Sequence, residues 1–155
     1  MSIVICGFPG VGKTCAAHDR VSVYNLDSSS FSWMYDEKNP VEQIRNPDFP
    51  NNYVEEIKKL YNEFRYEYIL VSTHHVVREE LKRSGIKYIV VAPKRALKSE
   101  YLIRYIRRGS PMDFVEALNE RWDEFMDGFE KEDAPAIWLE AGQYISDIVG
   151  SLRHD

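Results

Sequence analysis

Residues 7–14 read Gly7-Phe8-Pro9-Gly10-Val11-Gly12-Lys13-Thr14 and fill every fixed position of the pattern G-x-x-x-x-G-K-S/T. Each residue type has a chemical use. Gly7, Gly10 and Gly12 let the backbone turn its N–H groups inward around phosphate oxygens, and the amides of Val11 and Cys15 extend that cradle. Lys13 is long enough to reach the outer phosphates. Thr14 offers a hydroxyl oxygen to a hard cation such as Mg²⁺, at the start of a helix whose exposed N–H groups already favour anions. The spacing therefore predicts a site for a nucleoside triphosphate and its Mg²⁺.

Such a loop works only between a strand and a helix, and the flanking residues supply both. Ile3 to Cys6 form an apolar run, and a helical pattern starts at Thr14. Further buried strands are predicted over 21–27, 66–73, 86–92 and 136–141. Between them, Val54, Ile57, Leu60, Tyr61 and Phe64 share one helical face, with Asn52 and Glu55 spaced as a capping box. Gly85 and Gly109 stand where two more helices should end. Ser110 and Pro111 have the types of an N-cap and a first helical residue, opening a helix on which Phe114, Leu118, Trp122, Phe125 and Phe129 recur at helical spacing. Alternation of strands and helices implies an α/β fold, a five-stranded, mostly parallel sheet with helices on both faces. Residues 27–52 read as one long irregular segment, rich in serine, asparagine, proline and aromatics.

Motif and element order together resemble the P-loop nucleoside triphosphatase fold, a three-layer architecture. The aspartate that often ends the third strand of GTPases and motors is absent from "YILVST", and no N-K-x-D motif occurs. The resemblance is thus to the small P-loop kinases, the nucleoside monophosphate, gluconate and shikimate kinases. "DSSSFSW", "RNPDFPNNY" and "LIRYIRRG" are similar to a phage-type adenylate-kinase-like or deoxynucleotide-kinase-like branch. It implies one kinase domain over 1–155, with an acceptor-binding segment at 27–52, a lid at 104–113, and ATP with Mg²⁺ as donor and cofactor. The implied reaction moves the γ-phosphoryl group to a nucleotide-type acceptor.

Asp27 closes the second predicted strand, where an acid can orient an acceptor hydroxyl and take its proton; it is equally suited to a turn before "SSS". Phe31 and Trp33 have faces for stacking on a planar acceptor, and Arg45 has the charge to meet a phosphate, while aromatics in a long loop also serve as its own core. His74 directly follows the third strand and Arg78 sits one helical turn farther on; both are candidates for contact with the acceptor, although a lone histidine is a weak signal of one. Arg104 and Arg108, with Arg107 between them in spacing, fall on one face of a helix and suit a phosphoryl group, or alternatively the acids that follow. Residues 94–108 carry six basic side chains against one acid, and 112–133 carry nine acids against two bases.

The formal charge of −5 weighs against a general nucleic-acid coat, so DNA is the less favoured acceptor and a small molecule the expected partner. A hydroxyl on a sugar acid or on a modified base in DNA is a second enzymatic reading, and a nucleotide-binding regulatory module is a third of another class. No apolar run reaches membrane-spanning length, and two cysteines make no disulfide framework. A cytoplasmic protein is expected, monomeric or a small homo-oligomer.

Overall fold

The computed structural model describes residues 2–36 and 39–149, and side chains are described for these except at 30 and 32–45. The elements run β1 (Ile3–Gly7), α1 (Lys13–Asp19), β2 (Val23–Asn25), α2 (Ser29–Ser32), β3 (Trp33–Asp36), β4 (Asn39–Arg45), α3 (Asn51–Glu63), β5 (Tyr68–Val71), α4 (His75–Arg83) and β6 (Tyr88–Pro93). A 3₁₀ turn at Arg95–Leu97 leads into α5 (Lys98–Arg107), followed by α6 (Met112–Lys131), β7 (Ala136–Leu139) and α7 (Ile145–Ile148).

Five strands form one sheet in the order β2-β5-β1-β6-β7. Every pairing in it is parallel, with Ile3 opposite Tyr68, Val4 opposite Tyr88 and Val90 opposite Ala136. Strands hydrogen-bonded on both sides and covered on both faces need apolar residues at every position, which is why β5 and the interior of β1 are buried throughout. The chain moves from β1 outward to β2, then back through β5, β6 and β7 in the opposite direction. Right-handed crossovers therefore put α1 on one face and α4 on the other. The loops leaving the adjacent strands β1 and β5 diverge, and a crevice opens at the carboxyl edge between them.

Residues 27–52 differ from the irregular segment expected. They contain α2 and a two-stranded antiparallel sheet of β3 and β4, with Trp33 opposite Arg45 and a register shift at Tyr35/Asp36. Polar, aromatic and β-branched residues here lack a clean period, because the hairpin is not part of the main sheet. The expected capping box of α3 is not formed either: the helix begins at Asn51 with Pro50 in the cap position. Asn52 Nδ2 instead donates to the Phe31 carbonyl at 3.0 Å, tying α2 to α3. Ser110 likewise does not cap α6; its Oγ accepts from Arg108 Nε at 3.0 Å and Pro111 holds the cap position. Gly85 and Gly109 do follow α4 and α5 as expected, with φ of 75° and 79°.

The buried Tyr53 ring of α3 reaches the edge of the sheet. Its hydroxyl donates to the Leu26 carbonyl and accepts from the Ser72 N–H at 3.2 Å, joining the ends of β2 and β5. Tyr53→Phe leaves both backbone groups short of a partner, and unfolding in urea should show a loss of about 1–3 kcal/mol with unchanged far-ultraviolet circular dichroism.

Candidate active site

The loop from β1 to α1 is shaped by its glycines and held by aromatic rings. Gly10 and Gly12 have φ of 91° and 92°, a left-handed conformation that residues with a Cβ avoid. Space is equally short: a Cβ on Gly10 would come 3.0 Å from Tyr105 Cε1, and one on Gly12 would come 2.9 Å from Tyr144 Cδ1. Phe8, at a position the motif leaves free, is buried with its ring edge-on to Trp122 at 5.5 Å and Phe129 at 5.8 Å. Tyr105 Oη donates to the Pro9 carbonyl at 2.7 Å, and the Ile145 N–H donates to the Val11 carbonyl at 2.8 Å. α5, α6 and α7 thus grip the loop from behind while its inner face opens to a cleft.

Lys13 Nζ donates to the Gly7 carbonyl at 2.5 Å. Burial lowers its ammonium from the ordinary value to about 8; Cys6 and Asp27 push it back up, and Arg108 pushes it further down. Thr14 and Cys15 are exposed at the start of α1, and Asn25 Nδ2 lies 3.5 Å from Thr14 Oγ1. Asp27 is exposed just past β2, and its Oδ1 accepts from the Ser29 N–H at 2.9 Å, so the turn and the free edge of the carboxylate coexist.

Two clefts meet at Lys13. The larger, of about 960 Å³, runs from the glycine loop across Thr14, Asn25 and Asp27 to Arg104, Arg107, Arg108 and Tyr144. The smaller, of about 620 Å³, runs from Phe8 and Lys13 past Thr73, His75 and Arg78 to the exposed side of α6. Pro9, Lys13, Ser72, His74 and Phe114 line both.

The arginines divide in an unexpected way. Arg104 is stacked between Tyr101 and Tyr144, with its Cζ 4.3 and 4.2 Å from their ring centroids, and its Nη1 donates to the Gly10 carbonyl at 2.9 Å. It braces the loop as well as facing the cleft. Arg108 lies over Tyr105 at 5.0 Å, and Arg107 also lines the larger cleft. The acids of α6 turn instead to Arg95, which pairs with Asp127 at 2.5 Å, Asp123 at 3.1 Å and Glu130 at 3.4 Å. The basic helix end is thus left toward the cleft.

Several acceptor candidates find other partners. Phe31 lines neither cleft; its ring packs on Tyr53 at 5.3 Å, the loop-core alternative. Arg78 borders the smaller cleft, but its Nη1 pairs with Glu132 at 2.6 Å and its Nε donates to the Thr73 carbonyl at 3.0 Å. With its side chain 7% exposed, it ties α4 to α6 before any ligand arrives. His74 lines both clefts, with Nδ1 2.9 Å from Ser72 Oγ. Trp33 and Arg45 lie outside the residues whose side chains are described. Sequence reasoning missed Phe8, Tyr53, Tyr101, Tyr105 and Tyr144, since aromatic residues in apolar patterns carry no signal of what they support.

The fold and the loop define an α/β protein with a five-stranded parallel sheet and a glycine-rich P-loop motif between β1 and α1. No protein-family model and no curated protein sequence matches the chain. Among solved structures, it is similar to the tunicamycin resistance protein of Deinococcus radiodurans, with a TM-score of 0.63 over 97% of this chain and 93% of that one. Identity is 18%, so the likeness concerns the fold. Among the described residues, no helix is long and apolar enough to cross a membrane.

A triphosphate bound against Lys13, as the motif predicts, would meet an ammonium whose charge depends on pH. Phosphate binds the protonated form and raises its pKa, so affinity should be level below about 8 and fall as pH rises through that value. The limiting slope is about tenfold per pH unit. Titration calorimetry between neutral and alkaline pH should show this fall together with proton uptake on binding, and a flat profile with no uptake would remove Lys13 from the site.

Proposed function

We propose that the chain is an ATP-dependent phosphotransferase that moves the γ-phosphoryl group to a small acceptor. The observation that carries this reading is the joining of two clefts at one lysine. A cradle for phosphates lies on one side of Lys13, and room for a second molecule lies on the other. A module that only bound nucleotide would have no use for the second space.

The donor's phosphates take the larger cleft, against the N–H groups of the glycine loop and Lys13. Arg104, Arg107 and Arg108 face the same space and supply fixed positive charge where the transferring group becomes more negative. Thr14 Oγ1 is exposed at the helix start, and Asp27 lines the same cleft. These two oxygen donors fit Mg²⁺, which takes oxygen ligands and is commonly shared between few protein groups and phosphate. Thr14 would hold it, and its contribution when bound is to neutralise charge on the β- and γ-oxygens. Asp27 is the acid that orients the acceptor hydroxyl and receives its proton. A nucleotide-type acceptor is what the small-kinase resemblance implies; a hydroxyl on a sugar acid or a base in DNA would use the same donor side. The name of the structurally similar protein, a tunicamycin resistance protein, adds an antibiotic-resistance context as a further possibility for the acceptor.

Lys13→Met should bind nucleotide weakly and lose acceptor-dependent ADP release by on the order of 10²-fold or more while remaining folded. Asp27→Asn keeps an oxygen for the Ser29 N–H, so melting temperature should hold while transfer falls by roughly 10²- to 10⁴-fold. Transfer near the wild-type rate in the Asp27→Asn protein would move the proton acceptor elsewhere. Activity that persists in excess chelator would count against Mg²⁺.

A further inference from the structure

We propose that the smaller cleft is the acceptor seat and that it takes a neutral hydroxyl compound with an apolar, ring-sized body, a reading that rests on the phosphotransferase assignment. The first observation concerns α6. Its buried residues Val115, Leu118, Trp122, Met126 and Phe129 face the core and anchor the helix. Half-buried Phe114 and Phe125 pack on Tyr105 at 5.5 Å and Phe8 at 6.0 Å, and with the edge of buried Leu118 they also line the cleft. Apolar side chains gathered along a concavity of about 620 Å³ give it the size for a small molecule.

The second observation is Gly128, on the same helical stripe as Leu118 and two turns beyond Arg121. Its backbone is ordinary helix, without positive φ, so the conformation does not call for glycine. Nothing lies within 4 Å of where a Cβ would stand. Glycine inside a helix costs about 1 kcal/mol relative to alanine, and here no packing neighbour recovers it. The vacant volume opens into the cleft that Gly128 lines.

Charge decides the acceptor class. Of the two arginines of this cleft, buried Arg78 is matched by Glu132 at 2.6 Å, and exposed Arg121 meets both carboxylate oxygens of Glu124 at 3.2 Å while lying over the Phe125 ring at 4.8 Å, so neither is aimed into the cleft as a bare charge. Lys13, also in the lining, is directed to the donor phosphates. A doubly charged acceptor phosphate would meet paired cations and aromatic walls, whereas a neutral body is compatible with both. In the step itself, the acceptor hydroxyl oxygen bonds to the γ-phosphorus as the bond to the β–γ bridging oxygen breaks. The bridging oxygen leaves with the electron pair on ADP, and the hydroxyl, placed where the two clefts join at Lys13, gives its proton to the Asp27 carboxylate in the lining of the larger cleft.

The test compares wild type, Gly128→Ala and Gly128→Leu against a panel of neutral aromatic or long-chain alcohols, nucleoside monophosphates and sugar acids. ADP release and calorimetric binding are both measured. Gly128→Ala should raise the melting temperature by about 2–4 °C, confirming that no fold requirement holds the glycine. Gly128→Leu should melt no lower than wild type yet raise KM for the alcohols by roughly tenfold or more, with kcat moving less. If a nucleoside monophosphate or sugar acid is the efficient acceptor and Gly128→Leu leaves its KM unchanged, the pocket inference is overturned while phosphotransfer stands. If alcohols bind in a Gly128-dependent way but no member of the panel stimulates ADP release, the pocket stands and the phosphotransferase reading falls. No calorimetric binding of any alcohol overturns the pocket.

Discussion

A glycine-rich loop whose inner side lines a cleft cannot pack that side, so it must be held from outside. Here that constraint is met by four rings, Phe8 set into α6, Tyr101 and Tyr105 beneath Gly10, and Tyr144 against Gly12. Their bulk is why the two glycines have room for no side chain, and the Tyr105 and Ile145 hydrogen bonds to loop carbonyls fix it from the same side. The remaining features of the edge follow from this grip. Lys13 is held in a desolvated position where its charge is costly until an anion arrives, and Arg104 is drawn into the brace by stacking between two tyrosines.

The segregation of charge along the chain acquires a spatial meaning at α5 and α6. Acids that could have neutralised the arginines at the end of α5 are gathered around Arg95, on the far side of the same helix pair. Exposed pairs of this kind add little stability, yet they determine which cations stay available. Arg104, Arg107 and Arg108 line a cleft whose own lining holds one acid, Asp27, although Arg104 Nη2 also lies 3.4 Å from Glu100 Oε1 on its own helix. The buried Arg78–Glu132 pair works differently. It joins the helix after β5 to the end of α6, so the two walls of the smaller cleft are tied together by an interaction that removal of either partner would turn into an uncompensated buried charge.

The central site and the parallel core were legible in the sequence because both depend on local order. G-x-x-x-x-G-K-T needs a strand before it and a helix after it, and both can be read from their periods within twenty residues. β5 and β6 were legible for a related reason, since strands covered on both faces need uninterrupted apolar runs. Residues 27–52 were not, because α2 and the β3–β4 hairpin are short and lie outside the main sheet, whose burial imposes the pattern.

What only the tertiary structure decided is which of several chemically capable side chains had already been taken. The sequence by itself determined that a glycine-rich loop bearing Lys13 sits between a strand and a helix of a parallel sheet, while the fold brings Asp27 and a group of arginines to the lining of the same cleft. It could not tell that Arg78 would be matched by Glu132 across fifty-four residues, that Phe31 would pack on Tyr53, or that the aromatic stripe of α6 would divide between core and cleft. The physical reason is the same in each case. Helical spacing reports which residues share a face, but burial and ion pairing depend on what packs against that face, and the partners come from distant parts of the chain.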